Sequence, residues 1–238
     1  MKAVVLESFG DSKKVFCVKD VPAPSNLKAD EVLIKVEAFG LNFADVMARR
    51  GMYNDAPPLP AILGYDVVGE VVEYGGENGK YLVGKRVVAM TRFGGYAQYA
   101  KTKISGVVEI GIQMPAYKAS ALATQYCTAY YGAYETTNLF EGDNVLLHAA
   151  AGGVGTAITQ LAKLKGCKVF GITSSAEKVD YLKKNGVDVP IVAVEGNYHQ
   201  QLKKHLGDQM LDVVFNSVGG VTYKKDSALL NKGGKIIL

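Results

Sequence analysis

The sequence predicts an α/β chain in two parts. A β-rich domain is expected over residues 1–122, and a doubly wound parallel sheet, incomplete at five strands, over 123–238. Residues 1–110 are dense in β-branched alternation, broken by glycine and proline. Beyond residue 143 short apolar runs alternate with helical periodicity, the pattern of strands covered on both faces. Within that half an apolar run, a glycine cluster and an amphipathic helix follow one another over 145–166.

Composition narrows the class. The 238 residues are 48% hydrophobic and 21% charged, ordinary for a globular chain of one large or two small domains. The net charge is +4, but the 27 lysines and arginines are scattered, so nucleic acid is not an expected partner. Cys17, Cys127 and Cys167 lie too far apart for a disulfide framework or a cysteine zinc cluster. The N-terminus alternates like a strand and meets Glu7 early, and no apolar stretch reaches membrane-spanning length. No membrane span and a reduced, cytoplasmic setting are expected.

In order, strands are expected at 3–6, 15–21 and 32–38, punctuated by Pro22, Pro24 and Gly40. Asn42 reads as the N-cap of a short helix over 43–50, closed by Gly51. Pro57, Pro58 and Pro60 mark an extended loop, and 67–74, 85–89 and 96–100 are further strands of a barrel-like domain. Residues 118–137 carry Ala121, Leu122, Tyr126, Ala129, Tyr130 and Ala133 at helical spacing. Strands then alternate with helices: strand 144–147, helix 154–165, strand 168–173, helix 176–185, a strand near 191–193 and helix 198–206. Strand 211–215, a helix near 223–230 and strand 235–238 follow. Two mononucleotide halves want six strands, so a count of five ending on an apolar strand predicts a missing C-terminal segment.

The chemistry starts in the glycine stretch. Residues 145–147 read as a buried strand and Gly152, Gly153 and Gly155 as a tight turn. Ile158, Leu161, Ala162 and Leu164 form one face of a helix stopped by Gly166. Such a turn lets backbone approach a pyrophosphate, and the helix N-terminus offers it unpaired N–H groups. The motif departs from G-x-G-x-x-G, and a tight turn without ligand is the alternative. About 20 residues on, an enzyme that uses NAD places Asp or Glu at the end of its second strand. Here that point holds Thr173, Ser174, Ser175 and Lys178. Lys178 can supply charge, and Ser174 and Ser175 hydrogen bonds, to the 2′-phosphate of NADP. Ser174 with Glu177 is also a capping box for the next helix, and Lys178 can be an ordinary surface lysine.

Five stretches, 40–53, 64–72, 83–87, 148–155 and 215–220, run through the chain in one order. With them the chain resembles the zinc-free quinone oxidoreductase branch of the medium-chain dehydrogenase/reductase superfamily, the zeta-crystallin and vesicle amine transport protein-like group. The resemblance implies a GroES-like catalytic domain followed by a Rossmann domain, with the active site in the cleft between. It implies a longer family chain whose last segment completes the sheet and forms a homodimer. Zinc-dependent relatives carry Cys where this chain has Asn42 and Gly-His-Glu where it has Gly64-Tyr65-Asp66. Asn42 and Tyr65 are not zinc ligands, so no metal is expected.

The resemblance implies hydride transfer from NADPH to a quinone or an α,β-unsaturated carbonyl, a small-molecule substrate. Asn42 and Thr128 would hold the nicotinamide end, and Gly152, Gly153, Val154 and Gly155 the pyrophosphate. Ser174 and Lys178 would take the 2′-phosphate, with Asn216 near the ribose. Tyr53 would hydrogen-bond the substrate or donate the proton, with Asn42 beside the chemistry. Each has a plainer alternative: Asn42 caps its helix, Thr128 bonds its own backbone, Tyr53 packs in its loop, and Asn216 shapes a turn. His148 reads as structural, and His199 and His205 as exposed on a polar helix. The family tyrosine after the third strand is missing. Ala193 stands there, with Tyr198 at the start of the next helix. A nucleotide-binding, non-enzymatic or vesicle- or membrane-associated relative is the competing reading of the whole chain.

Overall fold

A computed structural model describes residues 1–77, 79–193 and 197–237. They form two compact units, Met1–Thr124 and Gln125–Leu238, each with its own core.

In the first unit β1 (Lys2–Leu6) pairs antiparallel with β2 (Phe16–Asp20). The strand expected over 15–21 begins at Phe16 because Asp11 caps a single helical turn, α1 (Ser12–Val15), accepting the Lys13 N–H at 2.9 Å. A nine-residue strand, β3 (Glu31–Phe39), is followed by α2 (Phe43–Arg49), and β4 (Ala61–Ile62) then joins the other edge of β1. β5 (Asp66–Tyr74), β6 (Arg86–Met90), β7 (Tyr99–Lys103) and β8 (Val107–Glu109) complete an antiparallel sheet of order β7-β3-β5-β6-β8. Alternation sends Val32, Ile34, Val67, Val71, Val87 and Ala89 into one core. A Cβ on Gly69 would lie 2.1 Å from the Lys35 carbonyl oxygen, so only glycine lets β5 approach β3 there. The strand expected over 96–100 starts at Tyr99. Gly94 turns the chain at φ +87° and the Tyr96 N–H bonds the Leu63 carbonyl, which delays pairing with β3.

The periodic stretch 118–137 is helical but not one regular helix. α3 (Ala116–Ala121) gives way to a wider π-helical stretch, Leu122–Tyr126, then α4 (Cys127–Tyr130), then a second wide stretch, Tyr131–Thr136. At its end the Thr137 N–H reaches five residues back to the Gly132 carbonyl, 3.2 Å, which widens the last turn.

The second unit is a parallel sheet of order β11-β10-β9-β12-β13. Its strands are β9 (Asn144–Leu147), β10 (Lys168–Thr173), β11 (Val189–Val192), β12 (Leu211–Phe215) and β13 (Leu230–Ile237). The crossovers are α5 (Gly153–Leu164), α6 (Val179–Lys184), α7 (Tyr198–Leu206) and α8 (Val221–Ser227). The two-residue period splits the core. Val145, Leu147, Val169 and Val213 pack with Ala157, Ile158 and Ala162 of α5 on one face. Leu146, Phe170 and Val214 pack with Tyr198, Leu202 and Leu206 of α7 on the other.

Several boundaries differ from expectation. α8 ends at Ser227 and the last strand starts at Leu230, which pairs with Leu211; the ladder breaks at Gly233, φ +81°, and resumes at Lys235. Leu238, expected in that strand, lies outside the described residues. The helix expected over 176–185 opens with a 3-10 turn, Ala176–Lys178, before α6. Since the first strand of this sheet lies in its middle, the strand order reverses at β9. In open α/β sheets ligands bind outside the carboxyl ends of the strands at such a reversal, which here falls at β9 and its neighbours.

Candidate functional site

At the tip of β9 the chain turns through His148 and Ala149 into the glycines. Ala149 takes φ +49°, a left-handed conformation strained for a residue with a Cβ. The turn is closed by the Gly152 N–H on the Ala149 carbonyl, 2.8 Å, and tied to β10 by the Ala150 N–H on the Ile172 carbonyl, 3.0 Å. Gly152 is the N-cap of α5 and brings no capping side chain. The first intrahelical bond of that turn comes from Thr156, and the N–H groups of Gly153, Val154 and Gly155 find no partner among the described residues. A Cβ on Gly155 would fall 2.7 Å from the Ala149 carbonyl oxygen and 2.8 Å from the Ala150 Cα, backbone that cannot yield. A Cβ on Gly153 would meet only the end of the Gln125 side chain. Open amides, a helix dipole and a glycine-tight approach suit the diphosphate of a dinucleotide.

The neighbouring tip, at the end of β10, carries the residues expected for a 2′-phosphate. Ser174 and Lys178 are both exposed there. The capping box of Ser174 and Glu177 does not form. The cap is Ser175, its N–H bonded to Thr173 Oγ1 at 3.3 Å, and its side chain caps nothing. Thr173 thus holds the bend and leaves the Ser174 hydroxyl outside any cap. Thr128 is exposed on α4.

Beyond β12 lies a cluster the sequence did not announce. Asp226 of α8 is fully buried. It accepts from Asn216 Nδ2 at 2.6 Å and from the Tyr198 hydroxyl at 2.8 Å, and His148 Nε2 lies 2.9 Å from it. Asn216 also donates to Thr222 Oγ1, while its Oδ1 accepts the Val218 and Gly219 N–H groups. Its side chain is therefore committed to the turn after β12. His148 is held inside this cluster. Tyr198 points inward, and burial with the bond to Asp226 raises its phenol above the ordinary value. His205 is exposed, but His199, expected on the surface, is half-buried, and its Nε2 finds no partner among the described residues.

In the first unit Asn42 begins α2. Asp45, on the first turn, accepts the Asn42 N–H and the Gly64 N–H, each at 3.0 Å. The Asn42 side chain turns elsewhere, donating to Asp66 Oδ1 at 2.6 Å. Burial lifts the Asp66 carboxyl above the usual carboxylate range, opposed by hydrogen bonds from Asn42 and Thr124 and reinforced by Asp45. Gly40 makes this contact possible, since a Cβ there would fall 2.4 Å from the Asp66 carboxylate. Tyr53 sits in an aromatic group with Tyr65 and Phe93; its ring meets Tyr65 edge-on at 6.2 Å, and Tyr65 lies 5.0 Å from Phe93. The Tyr65 hydroxyl donates to Tyr53 Oη at 2.8 Å. Burial, then that bond, raise the Tyr65 phenol.

Asp45, Asp66 and Asp226 were not singled out from sequence. An acid at the third position of a helix signals Asp45, and an acid opening an apolar strand signals Asp66. Nothing local signals Asp226. No group of three or more His, Cys, Asp or Glu among the described residues could hold a metal ion. No helix among them is long and apolar enough to cross a membrane.

Residues 28–131 match the alcohol dehydrogenase GroES-like domain and residues 153–238 the zinc-binding dehydrogenase family. The quinone oxidoreductase of Pongo abelii is 33% identical over 239 residues, covering 100% of this chain and 72% of that protein. The synaptic vesicle membrane protein VAT-1 homolog of Mus musculus is 35% identical over 238 residues, and there the chain spans 58% of the relative's length. Among solved structures, the quinone oxidoreductase from Thermus thermophilus, solved also in complex with NADPH, superposes with a TM-score of 0.83 at 30% identity, over 99% of this chain and 72% of that one.

Proposed function

The chain belongs to the quinone oxidoreductase-like branch of the medium-chain dehydrogenase/reductase superfamily, and on that premise we propose that it is an NADPH-dependent, metal-free reductase of quinones or α,β-unsaturated carbonyls. The observation that carries the reading is the pair of strand tips: the open, uncapped N-terminus of α5 after β9, and exposed Ser174 and Lys178 after the adjacent β10. The first suits a diphosphate, and the second, with no acid at the strand end, suits a 2′-phosphate. Bound there, NADPH would supply hydride to the electron-poor carbon of the acceptor.

The chain's own residues do the rest. Gly152, Gly153, Val154 and Gly155 receive the pyrophosphate on backbone N–H groups. Ser174 and Lys178 receive the 2′-phosphate. Thr128 and Asn42 orient the nicotinamide end, and Asn42 is held in place by its bond to Asp66. Asn216 contributes through its side chain by shaping the turn after β12, and not by direct contact with the ribose. Tyr53 hydrogen-bonds the acceptor and gives it a proton. Metal independence rests on residue chemistry, since Asn42 and Tyr65 offer no zinc ligand where the zinc enzymes have theirs.

The test is equilibrium binding of NADPH and NADH to the chain and to Lys178→Ala, with NADPH oxidation followed in the presence of a quinone or an enone. Preference for NADPH that Lys178→Ala abolishes, together with acceptor-dependent turnover, is the expected result. Equal binding of both cofactors, indifferent to the substitution, overturns the NADP assignment. Binding without turnover of any acceptor overturns the enzyme and leaves a nucleotide-binding, non-enzymatic relative.

A further inference from the structure

The first unit holds a pair of hydroxyls with a defined direction of donation, and only one member, Tyr53, has a role above. Tyr65 Oη lies 2.8 Å from Tyr53 Oη and donates to it. The two rings and Phe93 lock one another, at centroid distances of 6.2, 5.0 and 6.5 Å, so the contact is set by packing and not by a chance rotamer. Since Tyr65 uses its own proton to reach Tyr53, the Tyr53 O–H is left to point elsewhere.

We propose that Tyr65 is a positioning residue for proton delivery: its hydroxyl fixes Tyr53 as the group that donates to the substrate and stabilises Tyr53 after the proton has left. The proposal rests on the reductase reading and deepens it. The balance is simple. Once the enone or quinone has accepted hydride from the reduced nicotinamide, it carries an oxyanion. The Tyr53 O–H bond breaks, a new O–H bond forms on the product oxygen, and the electron pair stays on Tyr53 Oη as a phenolate. The Tyr65 O–H···O contact becomes a charge-assisted hydrogen bond to that phenolate, shorter and stronger than the neutral one. Water returns the proton to Tyr53.

The surroundings agree with this division of labour. Burial, the Tyr53 bond and nearby Asp55 all hold the proton on Tyr65, and only Arg92 opposes them. Asp55 and Arg92 are the charged groups facing the pair, one from the loop after Tyr53 and the other beside Phe93. They are ion-paired to each other at 3.1 Å and largely in water. Tyr65 is therefore the fixed donor, and it cannot act as the base that would reverse the relay.

The experiment uses the full chain with Tyr65→Phe, Tyr53→Phe and the double variant, each checked for NADPH affinity, which neither ring hydroxyl should alter. With a simple cyclic enone as acceptor, Tyr65→Phe is expected to lower kcat about tenfold, the worth of one hydrogen bond to a charged group, with KM for NADPH unchanged. Tyr53→Phe should lose about a hundredfold or more, as for a missing general acid. In that background, removing the Tyr65 hydroxyl should cost little more. Wild-type kcat in Tyr65→Phe, or the same loss with Tyr53 already gone, overturns the proposal. If the wild type binds NADPH but reduces no acceptor, the reductase reading fails and the role assigned to Tyr65 fails with it, while the hydroxyl pair stands.

Discussion

Asp226 takes two hydrogen bonds and the contact with His148 in complete burial, so a substitution there strands three polar partners at once. Asp226→Ala leaves His148, Asn216 and Tyr198 without their common partner. It should destabilise the chain by about 3 kcal/mol or more, the range for breaking a buried polar pair. Tyr198→Phe removes only the hydroxyl that donates to Asp226, with the Thr222 carbonyl at 3.4 Å, and should cost less, about 1.5–2 kcal/mol. Urea unfolding of the two variants separates these values, and equal, negligible losses would refute the cluster's role. The cysteines offer a simpler check. Burial pushes the Cys167 thiol up to about 11, whereas Cys17 and Cys127 are exposed. A thiol reagent near neutral pH should therefore titrate two groups quickly and the third only on unfolding.

The element on which the cofactor reading turns is α5 with the turn before it. Two of its glycines are unequal, and the difference is measurable. Gly155→Ala forces a Cβ into backbone of Ala149 and Ala150, so the helix must shift and its open amides with it. NADPH affinity should fall at least about tenfold, since each 1.4 kcal/mol of lost contact is a factor of ten. Gly153→Ala meets only the Gln125 side chain, which can rotate away, and should bind more nearly as the wild type. The reverse ranking in a binding titration would mean that the amides at this end of α5 are not the phosphate site. The π-helical turns around α4 show how an element can keep its periodicity and still depart from its expected form. Ala129 and Ala133 face the core as spacing predicts, while the hydrogen bonds that close the turns are five residues long at Thr137.

At the scale of the molecule, buried phenols set the alkaline limit. Tyr65, Tyr96 and Tyr198 are all raised above the ordinary value of 10.0, chiefly by burial. The folded chain then keeps protons that the unfolded chain releases. Stability is full below pH 10 or so and is lost as pH rises through the raised values. Thermal melts from pH 8 to 11 should show a falling midpoint that steepens at the top of this range, and a flat profile would contradict the burial of these hydroxyls. NADPH offers the opposite lever. At a hundredfold excess over its Kd it should stabilise the folded state by about 2.7 kcal/mol, visible as a higher melting temperature.

The strands and helices of the parallel sheet were legible because their information is local. The alternation of Val145, Leu146 and Leu147 records burial on both faces, and Gly155 records a close approach of backbone. The family's motifs brought Asn42, Tyr53 and the glycine turn into view for the same reason: each lies in a short contiguous stretch. What remained hidden depends on residues far apart in sequence. Asp226 meets His148 across 78 positions, and Asn42 meets Asp66 across 24. The π turns and the late start of β7 were likewise decided by contacts that spacing does not encode, such as the Tyr96 N–H on Leu63. The sequence by itself determined the fold class, the order of its elements and the place of the glycine turn. The tertiary structure alone decided which side chains are engaged with one another, because a hydrogen bond is settled by distance in space, and only the folded chain brings those groups within 3 Å or so of one another.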